Sequence, residues 1–525
     1  MVHETRQIRR AWLLGGGVES LSAALSLIND AEIPGEKIYI LNLQPQPENA
    51  LENSMDASIE RSVTARMIES SHFNRIWRLI RKHYKSYDDD MCPEFKEQNK
   101  CLSKSTRTAV EAFMAKPANF MGSFDRRLLW QKNRKLTIDV LVNDEKIFEQ
   151  KRIDEVFDSS FWGSGLWEQA SSFGFRPAHS AVEFHRYLCQ YLDDMKNDRA
   201  QAHSLLEYTL HKPFLEPLRS YLKEEGVHFQ SNLTVSDFDF LPGEEPCTIC
   251  RMQAADAGRQ VTIPVETEDI VIVTIGSAAS GSSTGTTATP PSMVPAQADI
   301  LLDNDWSLWY RLARKSSKFG NPSTFCTHML DSRLVVFAVG LPTAEFNRIY
   351  TCAEAVYSEH RNVVSVAKSN WSLKLVFMQQ HVPNNKTKNT RVILGYGLTP
   401  STPGSFVQKP LNDCCGDEIM AELLGCLGLP VDQFLPTAIT IPRMIPLGLS
   451  PLLKRAHDDR PDVIPPNTTN IALVGQYVNV ADETALTLQY SVRCAQVAVC
   501  RMMGLKNTIP KVEKSFIAAR YGNAV

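Results

Sequence analysis

A short apolar segment that runs directly into three consecutive glycines is the feature that most constrains the fold of this chain. Ala11 to Leu14 is predicted to be a strand, and Gly15-Gly16-Gly17 follows it at once. Apolar residues then recur at helical spacing from Leu21 to Ile28, and a second strand is predicted from Lys37 to Leu41. A strand, a glycine turn, a helix and a second strand form a βαβ unit. The sequence therefore predicts an α/β fold.

The glycine turn has the spacing of a dinucleotide-binding loop. Gly15, Gly17 and Ser20 occupy the three small positions of the pattern G-x-G-x-x-G. The first allows the tight turn, the second lets the backbone approach a pyrophosphate, and the third lets helix and strand pack closely. Where the pattern usually has an acidic residue for the ribose, the second strand is followed by Asn42, which lacks the strength of a charged partner. The alternative is a structural turn in a unit that binds no nucleotide.

Two later segments are predicted to belong to the same unit. Asp269 to Ile275 is an unbroken β-branched run typical of a buried strand, and Asn470 to Val474 is a second short apolar strand before a long helix. Small residues follow the first run as far as Pro290-Pro291, and they fit either a flexible linker or a loop close to a ligand. The candidate cofactor contacts in these segments are Thr274, Gly276, Ser277, Gly475 and Gln476.

Composition excludes several classes of protein. The 525 residues carry a formal net charge of -3 and no basic stripe, so we expect no nucleic-acid partner. No apolar run approaches the ~18 residues needed to cross a bilayer, and no signal-peptide core is found, so we expect a cytoplasmic protein. Cys247 and Cys250 have a zinc-like spacing, but no second pair lies at ligand distance, and we expect no metal.

Six blocks of the sequence resemble one family. In chain order they are the glycine turn, FWGSGLWEQASSFGFRPAHSAVEFHRYL at 161–188, VTIGSAASGSSTG at 273–285, WSLWYRLARKSSKFGNP at 306–322, GYGLTPSTPGSFVQKPLNDCCGDEI at 395–419, and 459–499. The blocks and their order are similar to those of the oleate hydratases, also called myosin-cross-reactive antigens. That family consists of FAD-dependent enzymes that add water to a cis double bond of a fatty acid without net redox change.

The resemblance implies a discontinuous, Rossmann-like FAD-binding domain with inserted α+β substrate and helical lid domains. The expected divisions are residues 8–60, 225–300 and 440–505 for FAD, 61–224 for lid and substrate elements, 301–439 for the substrate domain, and 506–525 for a tail. Family members usually carry a further carboxyl-terminal region implicated in membrane contact, and from the resemblance we expect this region to be missing or much reduced. The expected partner is a hydrophobic small molecule, a fatty acid or a polyene, with peripheral membrane contact and a homodimer left open.

The resemblance also assigns chemistry to individual residues. Tyr187 matches the family's proposed proton donor, a tyrosine in an Arg-Arg-Tyr block, although a core aromatic on an amphipathic helix is the alternative. His179 lies in the matching Pro-x-His-Ser turn and is a second catalytic candidate. Asp482 lies in the last matching block and is a candidate flavin contact.

One flavin-proximal motif departs from the family. The family's Arg-Gly-Gly-Arg-Glu corresponds here to a stretch that keeps Arg66 and has Met67 at the glutamate position, and both residues are expected to contact the flavin. The family assigns that glutamate to water activation or flavin positioning. Glu69, two residues on, could replace it, or could be a solvated carboxylate at the start of a helix.

The region that holds the substrate carboxylate in the family differs more. Val376 and Met378 stand at polar family positions, and Leu210 replaces a family glutamine. Gln380 remains, and His381 lies one place from the family's histidine. The candidate substrate contacts are Gln380, His381 and His211. Losing hydrogen-bonding groups in an apolar tunnel favours a more apolar substrate. Double-bond isomerisation or cyclisation of a polyene in secondary metabolism is therefore an alternative to hydration. A flavin oxidoreductase and a non-catalytic flavoprotein are further alternatives.

Overall fold

The computed structural model of the protein describes most of the chain in separate ranges. They are residues 9–41, 136–137, 139–191, 215–243, 247–292, 304–357, 363–366, 368–377, 390–485, 487–505 and 509. Within these ranges the strands form three sheets. No helix in these ranges is long and apolar enough to cross a membrane.

The strands are numbered in chain order. They are Ala11–Leu14 (β1), Ile38–Leu41 (β2), His228–Phe229 (β3), Leu233–Phe240 (β4), Ile249–Asp256 (β5), Arg259–Pro264 (β6), Ile270–Thr274 (β7), Ser283–Thr284 (β8), Leu334–Pro342 (β9), Val363–Ser365 (β10), Leu373–Phe377 (β11), Thr390–Gly397 (β12), Ile439–Ile445 (β13) and Ile471–Val474 (β14).

The α-helices with described bounds are numbered in the same way. They are Val18–Asn29 (α1), Ile153–Val156 (α2), Gly165–Ser172 (α3), Ala181–Tyr191 (α4), Glu216–Glu224 (α5), Asn304–Lys315 (α6), Ser323–Cys326 (α7), Met329–Ser332 (α8), Thr343–Tyr357 (α9), Gly416–Leu427 (α10), Val431–Phe434 (α11) and Leu488–Met503 (α12).

The first sheet has five strands in the order β14-β7-β1-β2-β3, and every neighbouring pair is parallel. β1, β7 and β14 are buried along their whole length, which is why their sequences are unbroken apolar runs. Three segments that are distant in sequence therefore build one sheet, and the predicted α/β class is confirmed. The division of the chain into domains stays a prediction.

Helices α1 and α12 pack together beside this sheet. The apolar residues of both helices join the same buried cluster as β1, β7 and β14. Ala24 of α1 and Ala495 of α12 are fully buried, and their small side chains let the helix backbones approach closely. Two helices near opposite ends of the chain, α1 and α12, thereby belong to one core.

The second sheet has six antiparallel strands in the order β10-β11-β12-β9-β13-β8. Alternate residues of β9 belong to different cores: Val335 and Phe337 face α9 and α10, whereas Val336 and Ala338 face the apolar residues of 140–188. β8 comes from the small-residue stretch and pairs with β13. The flexible-linker interpretation of that stretch is therefore wrong for residues 283–284, which form an edge of this sheet.

The third sheet, β4-β5-β6, is a three-stranded antiparallel meander inserted between β3 and β7. Helix α6 lies against β4, and its Lys315 Nζ lies 2.9 Å from a carboxylate oxygen of Asp237. The insertion explains why β3 and β7, which share a sheet, are separated by forty residues of different pattern.

Buried charges on one face of α4 join it to the chain that leads into α12. The Glu183 carboxylate is fully buried and lies 3.0 Å from Arg455 and 3.1 Å from Arg460. Burial alone would raise the pKa of Glu183, but the three neighbouring guanidiniums, with Arg186 the third, lower it to about 2. One helical turn further, the Arg186 guanidinium donates to both carboxylate oxygens of Glu145 and to the Val480 carbonyl.

We expect Glu183→Gln to lower the free energy of unfolding by about 3–5 kcal/mol, because two buried guanidiniums would lose their counter-charge. Chemical denaturation at neutral pH measures this. The control is Glu266→Gln, which removes a carboxylate that is 46% exposed and 3.7 Å from Arg9, and it should cost no more than about 0.5 kcal/mol. Equal losses in the two variants would contradict the importance of the buried ion pairs.

Candidate functional site

Three loops leave the carboxyl ends of neighbouring strands at one edge of the parallel sheet. They begin at Gly15 after β1, at Ile275 after β7 and at Gly475 after β14. The chain continues from β1 to β2 on one side, whereas β7 and β14 lie on the other side, so the strand order reverses here. In open α/β sheets a ligand binds in the crevice at such a switch point. This edge is the candidate cofactor site.

The turn after β1 is built as the glycine pattern predicts. Gly15 has a φ of +118°, and a Cβ there would lie 2.7 Å from the Thr274 Oγ1 at the end of β7. The Ser20 hydroxyl donates to the Leu14 carbonyl and lies 3.4 Å from the same Thr274 oxygen. The structure therefore brings Gly15 and Ser20 together with Thr274, which lies more than 250 positions later in the sequence. Only glycine fits the first position.

Gly17 caps the amino end of α1, where the backbone N–H groups and the helix dipole favour an anion. A Cβ on Gly17 would lie 2.7 Å from a carboxylate oxygen of Glu19, so that oxygen rests directly over the second glycine. Glu19 is only 6% exposed. The amino end of α1 thus accommodates an anionic oxygen at the glycine where the pattern places a pyrophosphate. The backbone of the turn and its electrostatic preference fit a pyrophosphate, and in this structure the Glu19 carboxylate takes that position.

Two further polar groups at this edge fit a ligand. Gln476 is 6% exposed, and its amide Nε2 donates to the Ala485 carbonyl at 3.1 Å. Its buried Oε1 has no hydrogen-bond partner among the described residues. A buried polar atom of this kind normally has a partner, and a bound molecule can supply one. Arg219 of α5 donates to the Gly16 carbonyl at 3.1 Å.

Sequence reasoning missed Glu19 and Arg219. Glu19 lies inside the quoted glycine block, but at a position of the pattern where any residue is allowed. Its burial, which is unusual for a glutamate, appears only in the structure, so the sequence carried no signal for it. Arg219 lies on a short amphipathic helix about 200 residues later, and nothing in its spacing connects it with the turn.

The remaining cofactor candidates of the described chain have mainly packing or surface positions. A Cβ on Gly276 would lie 2.7 Å from the Tyr477 ring, so protein atoms alone account for this glycine. The Ser277 carbonyl accepts from the Trp306 indole at 3.0 Å. Asp482 is exposed, with a φ of +62°. Cofactor contacts by Gly276, Ser277 and Asp482 stay predictions that these contacts do not support.

Tyr187 lies on α4 directly after Arg186 and one helical turn after Glu183. Its ring centroid is 4.5 Å from Phe173, 5.1 Å from Phe175 and 6.2 Å from Phe184, and the side chain is fully buried. We call the rings packed here the aromatic cluster: Phe157, Phe161, Trp162, Trp167, Phe173, Phe175, Phe184 and Tyr187. Both the core-aromatic and the proton-donor interpretations are compatible with this place.

His179 is held by both ring nitrogens. The Arg176 backbone N–H donates to Nδ1, which therefore carries no proton, and Nε2 lies 3.1 Å from the Asp331 carbonyl, to which it donates. Complete burial, followed by the nearby Arg176 charge, lowers the pKa of His179 to about 3. These contacts make His179 the residue that fixes its turn against α8. A catalytic role for it stays a prediction.

A buried lysine lies on β11 of the second sheet, on the strand face that carries Val376. Lys374 is 6% exposed and its ammonium donates to the Ser365 hydroxyl at 2.7 Å. It lies two residues before Val376 on β11, so both side chains project from the same face of the strand. Val376 itself packs with the apolar residues of that face.

Seven other candidates lie outside the described residues: Asn42, Arg66, Met67, Glu69, His211, Gln380 and His381.

Comparison with known proteins places the chain in a family. The family model described as the MCRA family matches residues 8–500, and the chain belongs to this family. An oleate hydratase of Streptococcus pyogenes serotype M49 (strain NZ131) is 25% identical over 96% of this chain and 86% of its own length. A linoleate hydratase of Lactiplantibacillus plantarum is 24% identical over 94% of each chain.

Among solved structures, a Pyrococcus furiosus protein aligns with 94% of this chain and 98% of its own. Its sequence identity is 11% and its TM-score is 0.42.

We expect Gly15→Ala to destabilise the fold more than Gly258→Ala does. Both glycines have a positive φ, but a Cβ on Gly258 meets nothing within 4 Å, whereas one on Gly15 meets Thr274. The strain of the backbone costs about 1–2 kcal/mol in each variant. The contact with Thr274 should add about 1–3 kcal/mol in thermal or chemical unfolding. Adding Thr274→Ala to Gly15→Ala should recover part of the loss, and no recovery would contradict the close contact.

We expect His179 to make the folded protein sensitive to acid. The unfolded histidine binds a proton below its ordinary pKa of about 6.5, whereas the folded one does so only near 3, so acid favours unfolding. In His179→Asn, the amide oxygen can still accept from the Arg176 N–H, and the side chain does not titrate. The unfolding free energy of the natural protein relative to this variant should be constant above about pH 7. It should fall by roughly 1.4 kcal/mol per pH unit from about pH 6 to 4. A flat difference would contradict the assignment.

Proposed function

We propose that the protein is an FAD-dependent, redox-neutral enzyme that adds water to a carbon–carbon double bond of a fatty-acid-like substrate. The observation that supports this most is the glycine turn at the switch point of the parallel sheet, where Gly15 and Ser20 meet Thr274. Membership of a family with named oleate and linoleate hydratases supports the reaction class. The parallel sheet would be the centre of a Rossmann-like FAD-binding domain made of residues 8–60, 225–300 and 440–505.

Residues at the sheet edge would hold the cofactor. Gly15, Gly17 and the first turn of α1 would receive the pyrophosphate, and Gln476 Oε1 would accept a hydrogen bond from the ligand. When bound, reduced flavin would supply a proton or stabilise positive charge that develops at the alkene. The Arg219 guanidinium would keep the glycine turn in place through the Gly16 carbonyl.

Hydration of an isolated alkene needs a proton donor, an activated water and stabilisation of positive charge. We assign the donor to Tyr187, whose hydroxyl proton would go to one alkene carbon while water bonds the other and releases a proton. The faces of the surrounding aromatic rings attract positive charge, so the cluster would stabilise the developing cation. Glu69 is the proposed acceptor of the proton that water releases.

The second sheet suggests how a fatty acid would be bound. The buried ammonium of Lys374 is a group that can pair with a carboxylate, and it lies on the sheet face that carries apolar residues such as Val376. The same apolar packing of Val376 favours the second candidate function, which is isomerisation or cyclisation of a polyene. That reaction would use the same acid and charge stabilisation but no positioned water.

The direct test is incubation of the purified protein with FAD, a reductant and oleic acid. The flavin is followed by its absorbance spectrum, and the product by mass spectrometry. Bound flavin and a product heavier by one water would support hydration. Bound flavin with untouched oleate would favour the second candidate, whose product from a polyene would have unchanged mass. Absence of bound flavin at any FAD concentration would refute the cofactor proposal.

We expect Tyr187→Phe to abolish product formation while the flavin stays bound, because only the proposed acidic hydroxyl is removed. The control is Tyr396→Phe, which removes a buried hydroxyl that donates to the Ser172 carbonyl in the same region. Tyr396→Phe should lose about 1 kcal/mol of stability and keep its activity. Activity that survives in Tyr187→Phe at the level of the Tyr396 variant would leave Tyr187 as a core aromatic.

A further inference from the structure

The carboxylate of Glu19 occupies the part of the glycine turn that a dinucleotide needs. Its Oε2 lies 2.7 Å from the place of a Cβ on Gly17, and its Cδ lies 3.9 Å from that place. The absence of a Cβ on the second glycine is what lets a pyrophosphate approach the backbone. The same space is therefore filled by an anionic group of the protein itself.

The position of Glu19 is well determined by its surroundings. The side chain is 6% exposed and begins in the first turn of α1, whose N–H groups attract a negative charge. It also lies near α12, where burial raises the pKa of the Cys494 thiol to about 12 and the Glu19 charge adds to that rise. The carboxylate thus faces the interior of the switch-point crevice, between α1 and α12.

A pyrophosphate and this carboxylate compete for one positive helix end. Two like charges this close repel each other, and the repulsion is stronger near a protein surface than in water because the effective dielectric constant is lower. Binding of a dinucleotide therefore requires that Glu19 turns away from Gly17 or that the repulsion is tolerated. Either event weakens the binding of FAD compared with a turn that has a neutral residue at this position.

We propose that Glu19 is an internal competitor of the pyrophosphate and sets a low affinity for FAD in the resting protein. This inference rests on the proposed flavin site, and it concerns only the phosphate part of the ligand. Riboflavin has the same ring system without a phosphate, so its binding does not depend on Glu19. The competition therefore predicts that Glu19 affects the binding of FAD and not the binding of riboflavin. The assay of hydratase activity does not test this difference.

The experiment titrates FAD and riboflavin separately into the full-length natural protein, Glu19→Gln and Glu19→Ala, with flavin fluorescence as the signal. Circular dichroism checks that each variant is folded, and the second substitution covers a failure of the first. The control is Glu36→Gln, which removes an equal charge from an exposed residue outside the turn. We expect the Kd for FAD to fall at least about fivefold in both Glu19 variants. The Kd for riboflavin, and both constants in Glu36→Gln, should change by less than about twofold.

Several results would overturn the inference. Unchanged or weaker FAD binding in the Glu19 variants would show that the carboxylate does not oppose the ligand, and weaker binding would be expected if it held the ribose. An equal gain for riboflavin would assign the effect to something other than the phosphates. If no protein binds FAD, the flavin proposal fails. In that case the melting temperatures of the natural protein and of Glu19→Gln are measured with and without inorganic pyrophosphate. Stabilisation of Glu19→Gln alone supports the competition, and an equal shift in the two proteins excludes it.

Discussion

The contact between the glycine turn and the end of β7 is the constraint on which the candidate site depends. Gly15 can approach Thr274 only because it has no side chain, and Ser20 completes the contact from the first turn of α1. This close approach fixes where α1 begins and directs its amino end into the crevice at the sheet edge. The proposed pyrophosphate contacts follow from that direction, because the helix end supplies the attraction for an anion. The α/β core beneath it, with β1, β7 and β14 completely buried, keeps the geometry rigid.

Helix α4 connects this core with the region proposed for the substrate. One face carries Glu183 and Arg186, which bind arginines, a glutamate and a carbonyl of surrounding segments. One turn after Glu183, the same helix carries Tyr187 in the aromatic cluster. A change in the position of α4 would disturb the ion pairs and the ring contacts at once, since buried ion pairs tolerate little displacement. This single helix therefore couples the place of the proposed acid to the chain segment that enters the parallel sheet.

The sequence predicted the parallel sheet well, because strands buried on both faces are unbroken apolar runs, and Ala11–Leu14 agrees residue for residue with its prediction. It also identified Gly15 and Ser20, whose spacing has a steric cause. It could not predict contacts between segments distant in sequence, such as Arg219 with Gly16 or Glu183 with Arg455, because no local pattern records which segments meet. Small residues were ambiguous for the same reason: those after β7 have the composition of a linker, but Ser283–Thr284 pairs with β13.

The most direct test of the switch-point cofactor site is hydrogen–deuterium exchange of the protein with and without FAD, read by mass spectrometry. A dinucleotide held by the amino end of α1 occupies backbone N–H groups there and excludes water from the neighbouring loop. Slower exchange confined to peptides that cover Gly15–Ser20 and Gly475–Gln476 is the result that the proposed site predicts. Bound FAD with unchanged exchange in both peptides, and protection elsewhere, would contradict it.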